Sequence, residues 1–320
     1  FNAAISACEK GGEWDRALSI LTEMSTKSVT PDAIAFSAVM SACEKGTQWR
    51  SSLQLLNKMK EACATPNLIS ISAVISGCEK GAQWERALVL LDDMRDSGVT
   101  ADAISYNAAI SACDKGKQWL HALYLLDEMM WSDITPDIIS YAGALSACEK
   151  CGHSERGLPL LQKMFGGGVT PNVVSFTKAI SASEDGSQWQ SALSLLGKMK
   201  QAFVTPNILT LSSVISACEK GGRWQRALVL FDDMRSAGTT ADVISFTAAI
   251  SACGAGGQWQ RVLTLLEDMR ATGVTMDKPS RSATLSAFEK SGQWKLALSQ
   301  YTVDELSRSG VDTRGLTSFS

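Results

Sequence analysis

This sequence of 320 residues contains little histidine and no long apolar runs. Its two histidines, His121 and His153, stand far apart, and the Cys148-x-x-Cys151 pair before His153 has no fourth ligand for zinc. No apolar stretch approaches the roughly 18 residues of a membrane span. A glycine-rich phosphate loop and the zinc-deaminase signature are also missing. We therefore expect no metal, no cofactor, no membrane segment, no small-molecule substrate and no enzyme in these residues.

A surplus of positive charge is missing as well. The formal net charge is −3 at pH 7, whereas a domain that binds nucleic acid is expected to be basic overall. Binding of nucleic acid would therefore have to depend on where individual basic side chains are placed.

What the sequence does contain is a period of 35 residues along the whole chain. An apolar position recurs until the ninth repeat, at Phe1, Phe36, Ile71, Tyr106, Tyr141, Phe176, Leu211, Phe246 and finally Arg281. Tryptophan recurs at Trp14, Trp49, Trp84, Trp119, Trp189, Trp224, Trp259 and Trp294, and Ser154 replaces it once. Such a period is typical of a solenoid, in which each unit buries its apolar face against its neighbours. We predict one array with repeats at 1–32, 33–67, 68–102, 103–137, 138–172, 173–207, 208–242 and 243–277, a degenerate repeat at 278–312 and a tail at 313–320.

Each repeat is predicted to be an antiparallel helical hairpin. Apolar residues three and four apart mark a first helix around Phe36 and Cys43, and a second helix starts near Trp49. A recurring serine or threonine, such as Ser70, is predicted to be the N-cap of the first helix. A recurring glycine is predicted to end that helix in the left-handed conformation; it stands at Gly11, Gly46, Gly81, Gly116, Gly186, Gly221 and Gly256. A Thr-Pro-Asp/Asn turn closes the unit.

Most of the nine cysteines follow the same period. Seven of them hold one repeat position, at Cys8, Cys43, Cys78, Cys113, Cys148, Cys218 and Cys253. Neighbouring members would lie about one helix-packing distance apart, roughly 8–10 Å, which exceeds the ~7 Å between Cα atoms that a disulfide tolerates. We predict buried packing residues in a reducing compartment.

Taken together, the pattern resembles the pentatricopeptide repeat family. The resemblance depends on the period, the Val/Ile-x-Ser/Thr-Phe/Tyr-Asn/Ser/Thr opening, the Ala-Leu pair of the second helix, the methionine and the Pro-Asp/Asn close, and residues 243–277 show nearly all of them. It covers essentially the whole chain and suggests the pure subclass of 35-residue repeats. It implies an all-α, right-handed superhelical α-solenoid of about nine helical hairpins. It also implies binding of single-stranded RNA, one base per repeat, with the RNA running 5′ to 3′ from the N- to the C-terminus.

In this family the fifth residue of a repeat and its last residue read the base. The resemblance assigns that role to Asn2 with Asp32, Ser37 with Asn67, Ser72 with Asp102, Asn107 with Asp137, Ala142 with Asn172, Thr177 with Asn207, Ser212 with Asp242, and Thr247 with Asp277. Aspartate only accepts hydrogen bonds and suits G or U, whereas asparagine also donates and suits A or C. Serine or threonine at the fifth position leaves room for a purine, and asparagine there reaches a pyrimidine. The predicted target is close to 5′-UAGU(A)AGG-3′, with the fifth base weakly assigned.

Two further rows complete the predicted site. The resemblance assigns sandwiching of the bases to Ile34, Ile69, Ile104, Ile139, Val174, Leu209 and Ile244; packing in the core is the alternative. It places a lysine row near the RNA phosphates, at Lys10, Lys45, Lys80, Lys115, Lys150, Lys220 and Lys290; a solvated lysine at the negative end of a helix dipole is the alternative. Acidic pairs such as Asp92-Asp93 are expected on the opposite side and would account for the low net charge.

The predicted function is sequence-selective RNA binding in organellar RNA processing, stability or translation, with protein effectors as further partners. The family implies mitochondrion or chloroplast. No targeting segment is visible, but Phe1 stands inside a repeat, so the chain looks like a fragment of a longer protein. The alternative is a protein-interaction scaffold that binds a peptide in the groove. The restriction of the reading positions to very few residue types favours RNA.

Overall fold

A computed structural model describes residues 1–293 of the protein except 186–187 and 237, and without the side chains of Ser154 and Asp185. These residues form seventeen α-helices and one short 3₁₀ helix, and they contain no strand. The predicted all-α solenoid is therefore confirmed. Gly186, the residues of repeat nine predicted to form its second helix, including Trp294, and the predicted tail at 313–320 lie outside the described residues. None of the described helices is long and apolar enough to cross a membrane.

The chain divides into two compact units, Phe1–Pro171 and Asn172–Ser320. The first helices of the repeats in the first unit are α1 (Asn2–Gly11), α3 (Ala33–Lys45), α5 (Leu68–Lys80), α7 (Ala103–Lys115) and α9 (Ile138–Lys150). The second helices are α2 (Trp14–Thr26), α4 (Trp49–Glu61), α6 (Trp84–Asp96), α8 (Trp119–Trp131) and α10 (Gly157–Gly166). Within this unit each first helix packs against the first helices of the adjacent repeats. The second helices α2, α4, α6 and α8 pack against the first helices on either side of them in the chain, and α10 packs against α9.

The second unit has the same arrangement. Its first helices are α11 (Val173–Asp185), α13 (Ile208–Lys220), α15 (Val243–Ala255) and α17 (Lys278–Lys290). Its second helices are α12 (Trp189–Gln201), α14 (Trp224–Ser236) and α16 (Trp259–Ala271). The first helices again form one layer, and this layer carries the predicted reading residues.

The recurring tryptophan opens the second helix and explains the recurring glycine. A Cβ added at Gly46 or Gly81 would overlap the indole ring of the preceding repeat, Trp14 or Trp49. The backbone of Gly81 has an ordinary φ of −85°, so the predicted left-handed conformation is wrong at this position. The left-handed residue is the next one, for example Ala82 with φ of 52°. At Gly46 and Gly81 the indole ring leaves no space for a side chain, whereas Cys151 and Ser291 hold the equivalent position in repeats five and nine.

Repeat five shows what happens when the tryptophan is replaced. Ser154 begins a 3₁₀ helix, Ser154–Arg156, and α10 starts only at Gly157. The second helix of this repeat therefore has ten residues, whereas the other second helices in the described part of the chain have thirteen.

The cysteine row lies in the core, as predicted. All nine cysteines are free thiols, and six of the seven in the row are buried, whereas Cys8 is half-buried. Burial raises the pKa of the Cys113 thiol to about 12, so this side chain stays protonated and packs as a small apolar group.

Candidate nucleic-acid interface

The last residue of each repeat caps the first helix of the next repeat. Its Oδ1 atom accepts a hydrogen bond from the backbone N–H of the third helical residue. The N–O distance is 2.9 Å between Ser105 and Asp102 and 2.8 Å between Thr210 and Asn207. The predicted N-cap role of serine is therefore wrong: Ser105 is the third residue of its helix, and its side chain is fully buried. The same holds for Ser70, which is the third residue of α5, a helix whose N-cap is Asn67. The sequence reasoning missed that the residues assigned to base reading also cap helices.

This capping role determines which atom of the last residue remains for a ligand. The donor at the cap is a backbone N–H, so the atom that faces it must be an oxygen. Asp137 uses Oδ1 for all the hydrogen bonds of its side chain, which come from Ile139, Ser140 and Asn107. Asp137 therefore offers its second oxygen as an acceptor, and an asparagine in this position offers an amide N–H donor. In repeat one the second oxygen of Asp32 also accepts from the Asn2 amide, at 3.1 Å.

The capping bonds also influence the charge of the site. Burial raises the pKa of Asp137, but hydrogen bonds from the backbone and side chain of Ser140 and from the Asn107 amide outweigh it, and the net pKa is lowered. The hydrogen bond from the Ser280 backbone lowers the pKa of Asp277. Both carboxylates are therefore charged acceptors at neutral pH.

The two residues of most predicted reading pairs meet although 30 residues separate them. Direct hydrogen bonds join Asn2 to Asp32 at 3.1 Å, Ser37 to Asn67 at 3.3 Å, Asn107 to Asp137 at 3.2 Å and Ser212 to Asp242 at 3.3 Å. One intervening hydroxyl joins two more pairs, Ser72 to Asp102 through Ser105 and Thr177 to Asn207 through Thr210.

The two remaining pairs differ. Thr247 donates to the Val243 carbonyl and lines the same cavity as Asp277. Ala142 and Asn172 belong to different units and are described separately: Ala142 is half-buried, and Asn172 caps α11 by accepting from the Ser175 N–H at 2.9 Å.

Accessibility differs between the two positions. Ser37, Thr177 and Ser212 are only 5%, 6% and 1% exposed, whereas their partners are more accessible: Asn207 is exposed, and Asn67 and Asp242 are half-buried. A ligand would therefore meet the last residue of these repeats first, and the buried hydroxyls act at its edge.

The predicted base-sandwiching row is exposed to solvent. Its members lie at the second residue of the first helices, next to the caps, and their exposed fractions are 51% to 67%. The core-packing alternative is therefore wrong. A single exposed aliphatic side chain needs no explanation, but repetition at one position of seven repeats indicates a common role.

A cavity of about 560 Å³ in the second unit brings several predicted site residues together. It is lined by Ile244 of the sandwiching row, the pair Thr247 and Asp277, and Lys290 of the lysine row. Pro279, which occupies the sandwiching position of the ninth repeat, lines it as well. Two successive repeats thus contribute an aliphatic side chain each, with a reading pair at the same cavity.

The lysine row is largely paired with acidic residues. The distance from the lysine Nζ atom to a carboxylate oxygen is 3.1 Å for Lys80 and Glu44, 3.0 Å for Lys115 and Glu79, 2.7 Å for Lys150 and Asp114, and 3.1 Å for Lys220 and Glu184. Lys45 donates to the Glu9 backbone carbonyl at 3.0 Å. Each partner is the acidic residue one position before the lysine position of the previous repeat, which Asp185 occupies in repeat six. We call this series the Glu-Lys ladder. The spacing of 36 residues between each lysine and its acidic partner could have been found in the sequence. The lysine row considered without these partners suggested unpaired positive charge.

The acidic pairs of the second helices also have basic partners. Asp93 lies 3.1 Å from Lys60, and Asp127 lies 2.8 Å from Lys163. Arg95 pairs with Glu128 of the next repeat. These contacts connect neighbouring second helices.

Comparison with known proteins gives consistent matches along the chain. A family model described as the pentacotripeptide-repeat region of PRORP matches residues 1–167. A pentatricopeptide repeat domain model matches residues 159–221, and two PPR repeat models match residues 206–255 and 244–274. No curated protein sequence matches.

Solved structures with the same fold include repeat proteins from two plants. PPR10 from maize is 21% identical, with a TM-score of 0.62 over 97% of this chain and 49% of that one. PPR10 in complex with an 18-nt psaJ RNA element is 19% identical, with a TM-score of 0.55 over 97% and 50% of the two chains. Nuclear proteinaceous RNase P 2 from A. thaliana is 16% identical, with a TM-score of 0.51 over 58% and 42%. The chain thus spans about half the length of the PPR10 chain. With a family model covering more than half of its residues, this chain belongs to the pentatricopeptide repeat family.

Proposed function

We propose that this protein binds single-stranded RNA in a sequence-selective way, one base per repeat, with a target close to 5′-UAGU(A)AGG-3′. The observation that carries the proposal is the exposed aliphatic row beside the helix-capping reading residues. Exposed aliphatic side chains supply flat apolar contacts for a base, and the caps supply one directed polar atom per repeat. The RNA complex of PPR10, a protein with the same fold, supports the ligand class.

The chemistry of the caps sorts the bases into two classes. An aspartate cap offers an acceptor to the N–H at the Watson–Crick edge of G or U. An asparagine cap offers a donor to the ring nitrogen of A or C. In repeat four, Asn107 and Asp137 present a donor beside an acceptor, which suits the adjacent carbonyl and N–H of uracil. The protein would act by occupying its RNA, which can block nucleases, remodel RNA structure or recruit an effector protein.

The first experiment is fluorescence anisotropy with labelled 5′-UAGUAAGG-3′ and a scrambled octamer of equal composition, over a salt series. We expect tighter binding of the ordered sequence, and we expect this preference to persist as the salt concentration rises, because base contacts release few counterions. Equal binding of both octamers would reduce the interaction to electrostatic attraction. Absence of binding to either would favour the scaffold that binds a peptide in the groove.

The cellular role is the finer part of the proposal. We propose an organellar transcript in mitochondrion or chloroplast as the target, and processing, stability or translation of that transcript as the outcome. Crosslinking and sequencing of RNA bound to the protein in its source cells tests both points. Enrichment of nuclear-encoded transcripts without the predicted motif would contradict the proposal.

A further inference from the structure

A buried hydroxyl connects the two reading positions in several repeats. It belongs to the third residue of the first helix, and it bridges the fifth residue of the preceding repeat and the cap. In four repeats the bridging residues are Ser105, Ser140, Thr210 and Ser245, and each is fully buried. None of these side chains is accessible to a base. We infer that this hydroxyl is a specificity-positioning residue that sets which hydrogen-bonding group the fifth residue offers to the RNA. The inference depends on the proposed base reading.

The direction of the hydrogen bonds in repeat three can be worked out from proton counts. Ser105 donates to Oδ1 of Asp102 at 2.7 Å, and a hydroxyl has only one proton to donate. The Ser72 and Ser105 hydroxyl oxygens are also 2.7 Å apart, so the proton in that bond must come from Ser72. Ser72 therefore keeps only lone pairs and offers an acceptor. Two acceptors, Ser72 Oγ and Asp102 Oδ2, match the two adjacent N–H donors of guanine.

The same hydroxyl produces the opposite result when the fifth residue is asparagine. Because Asp137 Oδ1 can only accept, the end of the Asn107 amide that lies 3.2 Å from it is the NH2 group, and the amide oxygen faces Ser140. The Ser140 hydroxyl lies 2.6 Å from Asn107 Oδ1 and 2.9 Å from Asp137 Oδ1, and its single proton is shared between these two acceptors. The amide orientation is thereby fixed, and its remaining N–H is a donor. A donor beside the Asp137 acceptor matches uracil and does not match guanine. Guanine and uracil both suit an aspartate cap, and the fifth residue thus distinguishes them by its polarity as well as by its size.

Repeat two provides a natural control. The Ser70 hydroxyl, at the same position as Ser105, bonds to backbone groups of Asn67: it donates to the carbonyl at 2.8 Å and accepts from the N–H at 2.9 Å. Ser37 reaches Oδ1 of Asn67 directly. Removal of the Ser70 hydroxyl therefore leaves the contact between the two reading residues in place.

The test uses two repeats with the same residue types. Repeat three has Ser72, Asp102 and Ser105, and repeat seven has Ser212, Asp242 and Ser245. Affinity is measured by anisotropy for 5′-UAGUAAGG-3′ and for octamers with A at base three or at base seven. In Ser105→Ala we expect the preference for G over A at base three to fall roughly fivefold, the size of one lost hydrogen bond. The preference at base seven should stay at the wild-type value.

Two further variants separate positioning from loss of stability. Ser105→Thr should restore the preference at base three, because Thr210 supplies the same bridge in another repeat. Ser70→Ala should leave the preferences at bases two, three and seven unchanged. If Ser105→Ala does not fold, Ser105→Cys, whose thiol is only a weak donor, tests the same point at base three with base seven as the reference.

The outcomes distinguish the inference from the proposed function. An unchanged preference at base three in Ser105→Ala, or an equal loss of affinity for all three octamers, would overturn the inference alone. A wild-type protein without preference at bases three and seven would overturn the proposed function, and the inference with it.

Discussion

The last residue of each repeat has two tasks at the scale of a single side chain. One oxygen of Asp137 is used in capping α9, and its second oxygen remains for a ligand. Replacing a cap with alanine typically costs about 1 kcal/mol of stability. Aspartate and asparagine cap a helix about equally well, so exchanges between these two residues can change the ligand without loss of the fold.

Asp137→Asn should therefore change the fourth base of the preferred RNA from U to C. The variant keeps the cap oxygen but replaces the free acceptor with an amide donor, and Asn107 still reaches a pyrimidine. We expect the variant to bind C more tightly than U at this position. The expected difference in binding free energy is about 1–3 kcal/mol, by analogy with bidentate base contacts. Anisotropy with octamers that differ only at base four measures it. As a control, Asp137→Ala should lose stability and discrimination together. A variant that still prefers U would disprove the assignment of Asp137.

The cysteines differ in reactivity because the thiolate is the reactive form. Burial raises the pKa of Cys113 and Cys148 to about 12, and the pKa of Cys43 to about 11. A raised thiol pKa means that these buried groups remain protonated at neutral pH, whereas Cys63 is exposed. We expect iodoacetamide at pH 7.5 to label Cys63 first and to spare the buried row. Mass spectrometry after timed labelling measures this, and unfolding in urea should make all sites reactive. Early labelling of Cys113 in the native protein would contradict the burial.

The helices explain which sequence predictions succeeded. Every described second helix except α10 starts at its tryptophan, and the first helices of repeats two to nine start at the predicted repeat boundaries. The period defines these points because one apolar stripe per helix must face the neighbouring repeats. The predicted role of Ser70 was wrong because serine favours N-caps in general, and only the backbone geometry shows that Asn67 is the cap.

Adjacent residues at the end of α5 should respond in opposite ways to substitution. Gly81→Ala should destabilise the protein by about 1–3 kcal/mol, because the new Cβ would overlap the Trp49 indole. Ala82→Gly should stabilise it by about 0.5–1 kcal/mol, because Ala82 has φ of 52° and glycine adopts this conformation without steric cost. Its counterpart in the second unit, Gly222, is already glycine with φ of 68°.

Urea denaturation of both variants and the wild type measures these effects through the transition midpoints. Gly98→Ala serves as a second comparison, because Gly98 has positive φ and open space around its Cβ position, so only backbone strain would change. A stabilising Gly81→Ala would show that the indole ring moves away at little cost.

The distribution of charge is a property of the whole molecule. The net charge of −3 is the small difference between 30 basic and 33 acidic residues, and many of these charges pair between repeats. The Glu-Lys ladder connects first helices, and pairs such as Lys60 with Asp93 connect second helices. The lysine row is therefore close to neutral, and the low net charge does not mean that acidic residues are confined to one side.

Replacement of Lys80, Lys115 and Lys150 by alanine should change the salt dependence of RNA binding only slightly. Three freely available lysines would change the log–log slope by about 2, at roughly 0.7 per neutralised phosphate. Because each lysine already has an acidic partner, we expect a change below about 1. Anisotropy between low and moderate salt measures the slope, and Lys60→Ala is the control outside the ladder. A change close to 2 would mean that the lysines leave their partners for phosphates.

The sequence by itself determined the repeat, the hairpin and the core. A 35-residue recurrence of tryptophan, cysteine and methionine leaves a stacked helical array as the way to bury one apolar stripe per helix, and the reading positions followed from the family resemblance. The tertiary structure decided how those positions work. The cap at Asn67, the indole ring against Gly81, the bridge through Ser105 and the pairing of Lys80 with Glu44 all join residues from adjacent repeats or adjacent helices. Hydrogen bonds and ion pairs depend on distances of a few ångströms and on direction, and neither is contained in the spacing of residues along a chain.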